Sequence, residues 1–164
     1  MEWILIINGI APYLYLLAWY FATEDYNQDA LGVMAIVFAV QFVLTIILSL
    51  VSKDKARLAK VTMINKFVQI PYYILFFIIA VCGVLVMMGL MGIGLLFIPV
   101  FIAIDIGVFL TTLIPQEICT IRLMRMKKIS VPKFIGFLIG NCVYVVDVVL
   151  SVLVHREYKK IIKE

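Results

Sequence analysis

Residues 67–114 read FVQIPYYILFFIIAVCGVLVMMGLMGIGLLFIPVFIAIDIGVFLTTLI, an apolar run with one carboxylate in it, Asp105. It is about twice the ~20 residues that a membrane-spanning helix needs. The run therefore predicts a helical hairpin that crosses a bilayer and returns, bent at Gly89, Gly92 and Gly94.

Of the 164 residues, 65% are hydrophobic, with a mean hydropathy of +1.16. Soluble globular domains sit at roughly 45–50% apolar. The expectation is one all-α domain over 1–164, a polytopic transmembrane helical bundle. Five spans are expected, at about 3–22, 30–51, 67–88, 94–114 and 134–154. Trp3, Trp19 and Tyr20 mark the ends of the first, as interfacial aromatics do. Pro12 removes a backbone donor inside it and predicts a kink. The first span has no basic flank and no small-residue cleavage pattern, so it is expected to stay uncleaved.

The 14 Lys and Arg fall in three places: residues 53–66, residues 122–133 and the tail after 155. The connection Thr23-Glu24-Asp25-Tyr26-Asn27-Gln28-Asp29 is acidic. The positive-inside rule puts both basic connections and the N-terminus in the cytoplasm. Five spans then carry the basic tail across. The alternative is four spans plus a re-entrant or interfacial C-terminal segment broken at Gly140-Asn141. A bacterial cytoplasmic membrane is the expected location.

Polar residues gather at helical spacing on one face of each segment. The faces hold Asn8, Pro12 and Tyr15; Gln41, Thr45 and Ser49; Asn65, Gln69, Tyr72 and Phe76; Asp105, Thr112 and Gln116; and Gly136, Gly140, Tyr144, Asp147, Ser151 and His155. Such a pattern predicts a shared polar interior, with ordinary interhelical hydrogen bonds at ~0.6 kcal/mol each. Gly136-x-x-x-Gly140 reads as a close-packing motif. Asp105 and Asp147 are costlier, since an aspartate at mid-bilayer costs ~2.5–3.5 kcal/mol even on insertion scales. Their expected depths differ by roughly one helical turn. Asp105, Asp147, Gln69, Tyr72, Tyr144, Ser151, Gln41 and Asn141 are therefore the candidate ligand-binding or proton-carrying residues.

The cysteines Cys82, Cys119 and Cys142 are scattered and His155 is the one histidine. No zinc or redox site is expected, and no other cofactor; Cys82 and Cys142 read as packing residues. The chain has no phosphate loop, zincin helix, nucleophile elbow or dinucleotide fingerprint. Neither Ala103-Ile104-Asp105 nor Val145-Val146-Asp147 sits in a recognisable catalytic context. No basic stripe interleaved with stacking aromatics suggests nucleic acid. The expected partners are membrane lipids, a membrane protein or further copies of the chain. The favoured reading is a non-catalytic bundle whose polar cavity binds a lipid, small ligand or partner. A small proton-coupled transporter using Asp105 and Asp147 is the alternative, and an intramembrane aspartyl hydrolase the third.

Overall fold

Asp54 starts the longest helix. Its Oδ1 accepts the backbone N–H of Arg57 at 2.9 Å, and its carbonyl takes the N–H of Leu58 at 3.0 Å. A short acceptor side chain thus satisfies an orphan donor of the first turn. In the computed structural model, residues 2–24, 28–91 and 94–163 are described, and their regular structure is helical throughout. A 3-10 turn, Glu2–Ile6, leads into α1 (Ile7–Glu24). There follow α2 (Gln28–Val51), α3 (Lys55–Met91), α4 (Gly94–Arg125), α5 (Val131–Gly140) and α6 (Tyr144–Lys163). Three stretches are long and apolar enough to cross a membrane: Gly32–Val51, Lys55–Gly89 and Gly94–Arg125. The expected bend at Gly92, the side chains of Trp3 and Trp19, and residues 25–27 of the acidic connection lie outside the described residues.

The helix α3 is central and packs on α4, α6, α1 and the 3-10 turn. It begins twelve residues before the expected span at 67, so the supposed basic connection is helix. At 37 residues it is about 55 Å long, well beyond a ~30 Å hydrocarbon core. One stripe of it is buried: Leu58, Thr62, Asn65, Lys66, Gln69, Tyr72 and Phe76, at helical spacing. The large side chains turned outward are apolar instead, among them Ile74, Phe77, Leu85 and Val86.

Pro12 and Pro115 lie inside α1 and α4 without ending them. The expected end of the fourth span near 114 is therefore passed, and α4 runs on through Pro115 to Arg125. Each proline leaves the carbonyl four residues earlier without its helical donor. Buried amides supply the missing donors. Gln69 Nε2 donates to the carbonyl of Asn8 at 2.8 Å, and Asn8 Nδ2 to the carbonyl of Thr111 at 3.4 Å. Polar side chains from neighbouring helices commonly rescue prolines in this way.

The expected continuous helix over 134–154 is two helices. The chain breaks at Asn141–Val143 and reverses direction. Lys133 Nζ lies 2.6 Å from Glu157 Oε1, so the start of α5 meets the far part of α6. At the other end, a Cβ on Gly140 would come within 2.5 Å of Leu150 Cδ1, so glycine permits the close return. Gly136, by contrast, has open space beside it. The pair Gly136 and Gly140 is thus not one packing face. At the α3–α4 turn, a Cβ on Gly94 would lie 2.4 Å from the carbonyl of Val84.

Two cores result. Leu5, Leu58, Val61, Cys119, Leu123, Ile129, Phe137, Val154 and Tyr158 form one near the basic ends of the helices. Tyr72, Phe76 and Val108 form the other, with Tyr13 and Phe101 at its edge. Cys119 is the packed cysteine, whereas Cys82 and Cys142 face outward, contrary to expectation.

The helix α4 ends in a Schellman motif. The N–H of Lys128 reaches the carbonyl of Leu123, that of Lys127 reaches Met124, and Lys127 sits at φ 55°. Glycine is the residue suited to that left-handed position. Lys127→Gly is expected to stabilise the protein by about 0.5–1 kcal/mol. A thermal melt in detergent with an unchanged or lower midpoint would count against this.

Candidate functional site

The turn between α5 and α6 is built from Gly140, Asn141, Cys142 and Val143, and polar groups pin it on three sides. Asn141 is fully buried. Its Oδ1 accepts from Gln116 Nε2 at 2.5 Å, and its Nδ2 donates to Glu117 Oε1 at 2.8 Å. Two consecutive residues of α4 therefore hold one amide. Three residues on, Tyr144 donates its hydroxyl to Asp105 Oδ2 at 2.6 Å. Its ring lies against Phe109 (4.4 Å between centroids) and edge-on to Tyr73 (5.3 Å). Asp105, Phe109, Thr112 and Gln116 share a face of α4, stepping by four, three and four residues.

The third tie is ionic. Lys66 Nζ of α3 lies 2.5 Å from Asp147 Oδ2 of α6, with only 2% and 4% of the two side chains exposed. Charges so removed from water persist only when paired and hydrogen-bonded. Lys66 also stands 5.9 Å from the ring centroid of Phe109. Around this pair lies a groove of about 430 Å³. Its polar lining comes from Lys66, Gln69, Tyr73, Thr112, Tyr144 and Asp147. Its rim is apolar: Ile74 and Val145 are 59% and 79% exposed, and Ile70 and Val149 are exposed beside them.

The eight candidates divide. Asp147, Gln69 and Tyr144 line this groove; Asp105 holds Tyr144 from outside it. Gln69 also accepts from Tyr73 at 3.1 Å and Thr112 at 3.4 Å. Asn141 lies at the turn. Tyr72 is buried in the aromatic core, stacked on Phe76. Ser151 bonds to the carbonyl of Val148 in its own helix. Gln41 belongs to a second groove, of about 490 Å³ between α1 and α2. There its Nε2 donates to Asn8 Oδ1 at 2.9 Å and its Oε1 accepts from Tyr15. Asp105 and Asp147 are engaged separately, one with Tyr144 and one with Lys66. An aspartate dyad needs two carboxylates sharing a proton or water.

Sequence reasoning misses Lys66, Glu117 and Asn8 as site residues. Lys66 stands one residue outside the hydropathy boundary, which assigns it to a connection. Its place on the stripe containing Asn65 and Gln69 is the available signal.

At the basic end, the hydrogen bond from Lys133 and the further bond from Lys160 hold the Glu157 carboxyl below its ordinary range. Burial, with Lys159 and Lys60 nearby, holds the His155 imidazole below its usual value. Burial pushes the Tyr158 phenol up, while its hydroxyl donates to the carbonyl of Cys119 at 2.9 Å.

Among described residues, no group of three His, Cys, Asp or Glu is placed to hold a metal ion. Residues 10–160 match the family model DUF6652, a family of unknown function, and the chain belongs to that family. No curated protein and no solved structure matches the chain.

Proposed function

We propose that this member of DUF6652 is a non-catalytic integral membrane protein that holds an amphipathic ligand in the groove beside Lys66 and Asp147. The observation that carries the reading is the make-up of the groove. Its open surface is aliphatic, from Ile70, Ile74, Val145 and Val149, and behind that surface the buried Lys66–Asp147 pair, the Gln69 amide and the hydroxyls of Tyr73 and Tyr144 are hydrogen-bonded to partners within the protein. The apolar chain of an amphiphile matches the aliphatic surface, and its polar head would have to reach the Lys66–Asp147 pair that lies behind it.

The inside-out polarity of the bundle supports membrane insertion. Asn8, Thr45, Gln69, Thr112, Gln116 and Asp147 are buried, while many large aliphatic residues of α2, α3 and α4 are exposed. The geometry of α5 and α6 favours the topology with four crossings, α1 to α4, over five. Ten residues of α5 rise about 15 Å, half of a ~30 Å core. A hairpin entering and leaving on one side keeps Arg156, Lys159, Lys160 and Lys163 with the other basic residues. All 14 Lys and Arg then lie on the cytoplasmic side, as the positive-inside rule asks.

Two measurements test this reading. Lipid extracted from purified protein and quantified by mass spectrometry should include a stoichiometric amphiphile. Filling the groove with Ile70→Trp and Val149→Trp should reduce that amphiphile about tenfold or more. Equal retention by a folded filled variant would remove the ligand assignment. For topology, cysteines placed at Lys53 and Lys160 should react with an impermeant thiol reagent from the same side; opposite sides would overturn the hairpin.

A further inference from the structure

Three buried oxygen atoms around the α5–α6 turn lack hydrogen-bond partners among the described residues: Gln116 Oε1, Glu117 Oε2 and Asp147 Oδ1. They belong to one neighbourhood. Gln116 Nε2 reaches both Asn141 Oδ1, at 2.5 Å, and the carbonyl of Asp147, at 3.5 Å. The same Asn141 donates to the other oxygen of Glu117. The terminal amide of Gln116, whose residue is 1% exposed, is therefore lodged between the turn and the first turn of α6. Its oxygen belongs to the same hydrogen-bonded cluster as the Glu117 carboxyl and the start of α6.

All three atoms accept hydrogen bonds and none can donate when the carboxyls are ionised. Exchanging Gln116's oxygen and nitrogen does not help, because its nitrogen already serves Asn141 Oδ1. Buried polar atoms are ordinarily satisfied, and each exception asks for an explanation. The charges agree with the acceptors. Lys66 is the cation that acts on both Asp147 and Glu117, so one lysine serves two carboxylates. With both carboxyls ionised the site holds one more negative charge than positive and presents only acceptors, and a positive occupant offsets both.

We propose that the space beneath the α5–α6 turn is a binding site for a monovalent cation of the sodium class, held by Gln116 Oε1, Glu117 Oε2 and Asp147 Oδ1. One cation contacts all three atoms and cancels one charge. A single proton satisfies one atom and leaves the amide oxygen bare. A divalent ion would overcompensate the surplus, and the oxygen ligands are a poor match for softer transition metals. The site shares Asp147 with the groove, but its test does not depend on the groove's ligand.

The experiment uses the full chain in detergent and follows its melting midpoint at constant ionic strength and pH 7.5, titrating sodium chloride against choline chloride. The expected result is a saturable rise of about 5–10 °C with sodium. Glu117→Gln keeps the oxygen that Asn141 needs while removing the charge, so it should abolish the sodium dependence. Asp54→Asn, at the exposed cap of α3, should retain it. An equal midpoint in both salts overturns the proposal. So does a midpoint indifferent to sodium that rises as pH falls from 8 to 5, which assigns the site to a proton. Should Glu117→Gln not fold, the wild-type salt comparison still decides.

Discussion

Lys66→Met, with Asp147 left in place, is expected to destabilise the protein by about 3–5 kcal/mol. The methionine fills much of the lysine's volume, so the loss is electrostatic. It leaves a buried carboxylate whose Oδ2 is robbed of its donor and whose Oδ1 has no hydrogen-bond donor among the described residues. Asp147→Leu alone strands the ammonium in the same way. The informative comparison is with the double variant Lys66→Met/Asp147→Leu. Replacing a buried ion pair by packed apolar residues is often neutral or stabilising, because the desolvation penalty disappears with both charges. The double variant should therefore recover most of what either single variant loses. Denaturant or thermal unfolding in a fixed detergent gives the three values and the coupling between them. Additive losses would mean that Lys66 and Asp147 do not face each other in the folded protein.

Asn8→Ala is expected to cost about 1–3 kcal/mol, more than the ~0.6 kcal/mol typical of one hydrogen bond between membrane helices. Asn8 connects three helices. Its Nδ2 serves Thr45 Oγ1 at 2.9 Å and the Thr111 carbonyl, and its Oδ1 accepts from Gln41. The Thr111 carbonyl is the sensitive member, because Pro115 offers no N–H to replace the lost donor. This gives a specific rescue. Pro115→Ala restores the helical donor, so it should recover about 1 kcal/mol in the Asn8→Ala background and less in the wild type. The coupling energy is the test, since removing the proline ring also alters packing in both backgrounds. Zero coupling would show that Asn8 is not what sustains α4 across its proline.

Much of the architecture is legible because polar residues in these helices recur every three or four positions. Asn65, Gln69, Tyr72 and Phe76 fall on one predicted face, and that face of α3 is buried. The ends of helices are less legible, for a physical reason. A hydropathy boundary marks where apolar side chains stop, whereas a helix stops where its backbone hydrogen bonds do. Asp54 caps α3 far outside the apolar run, and Pro115 fails to end α4 because its lost bond is replaced from outside. Both facts move Lys66 and Glu117 from connections into helices.

The C-terminal segment misleads differently. Residues 134–154 are long enough to cross a bilayer, and length outweighs the Gly140-Asn141 break. What decides for a reversal is the set of partners waiting for Asn141 on α4 and for Glu157 on α5. Such partners come from distant parts of the chain. Pairing of Asp147 with Lys66, 81 positions apart, is unreadable for the same reason.

The half-length of α5 has a consequence for biogenesis. Neither arm of the hairpin is a stable passenger in oil by itself, since Asn141, Tyr144 and Asp147 bring polar atoms that only α3 and α4 can accommodate. The hairpin also leaves the ribosome after those two helices. On the proposed four-crossing topology, insertion of the earlier helices and docking of the hairpin would be separate events, the second resembling ligand binding more than translocation. On that topology, Lys66 in the interval would lack Asp147 as its counter-charge and could extend its flexible stem toward the headgroups. Arrival of Asp147 would draw it inward, so that a stretch synthesised after α3 and α4 completes their interior.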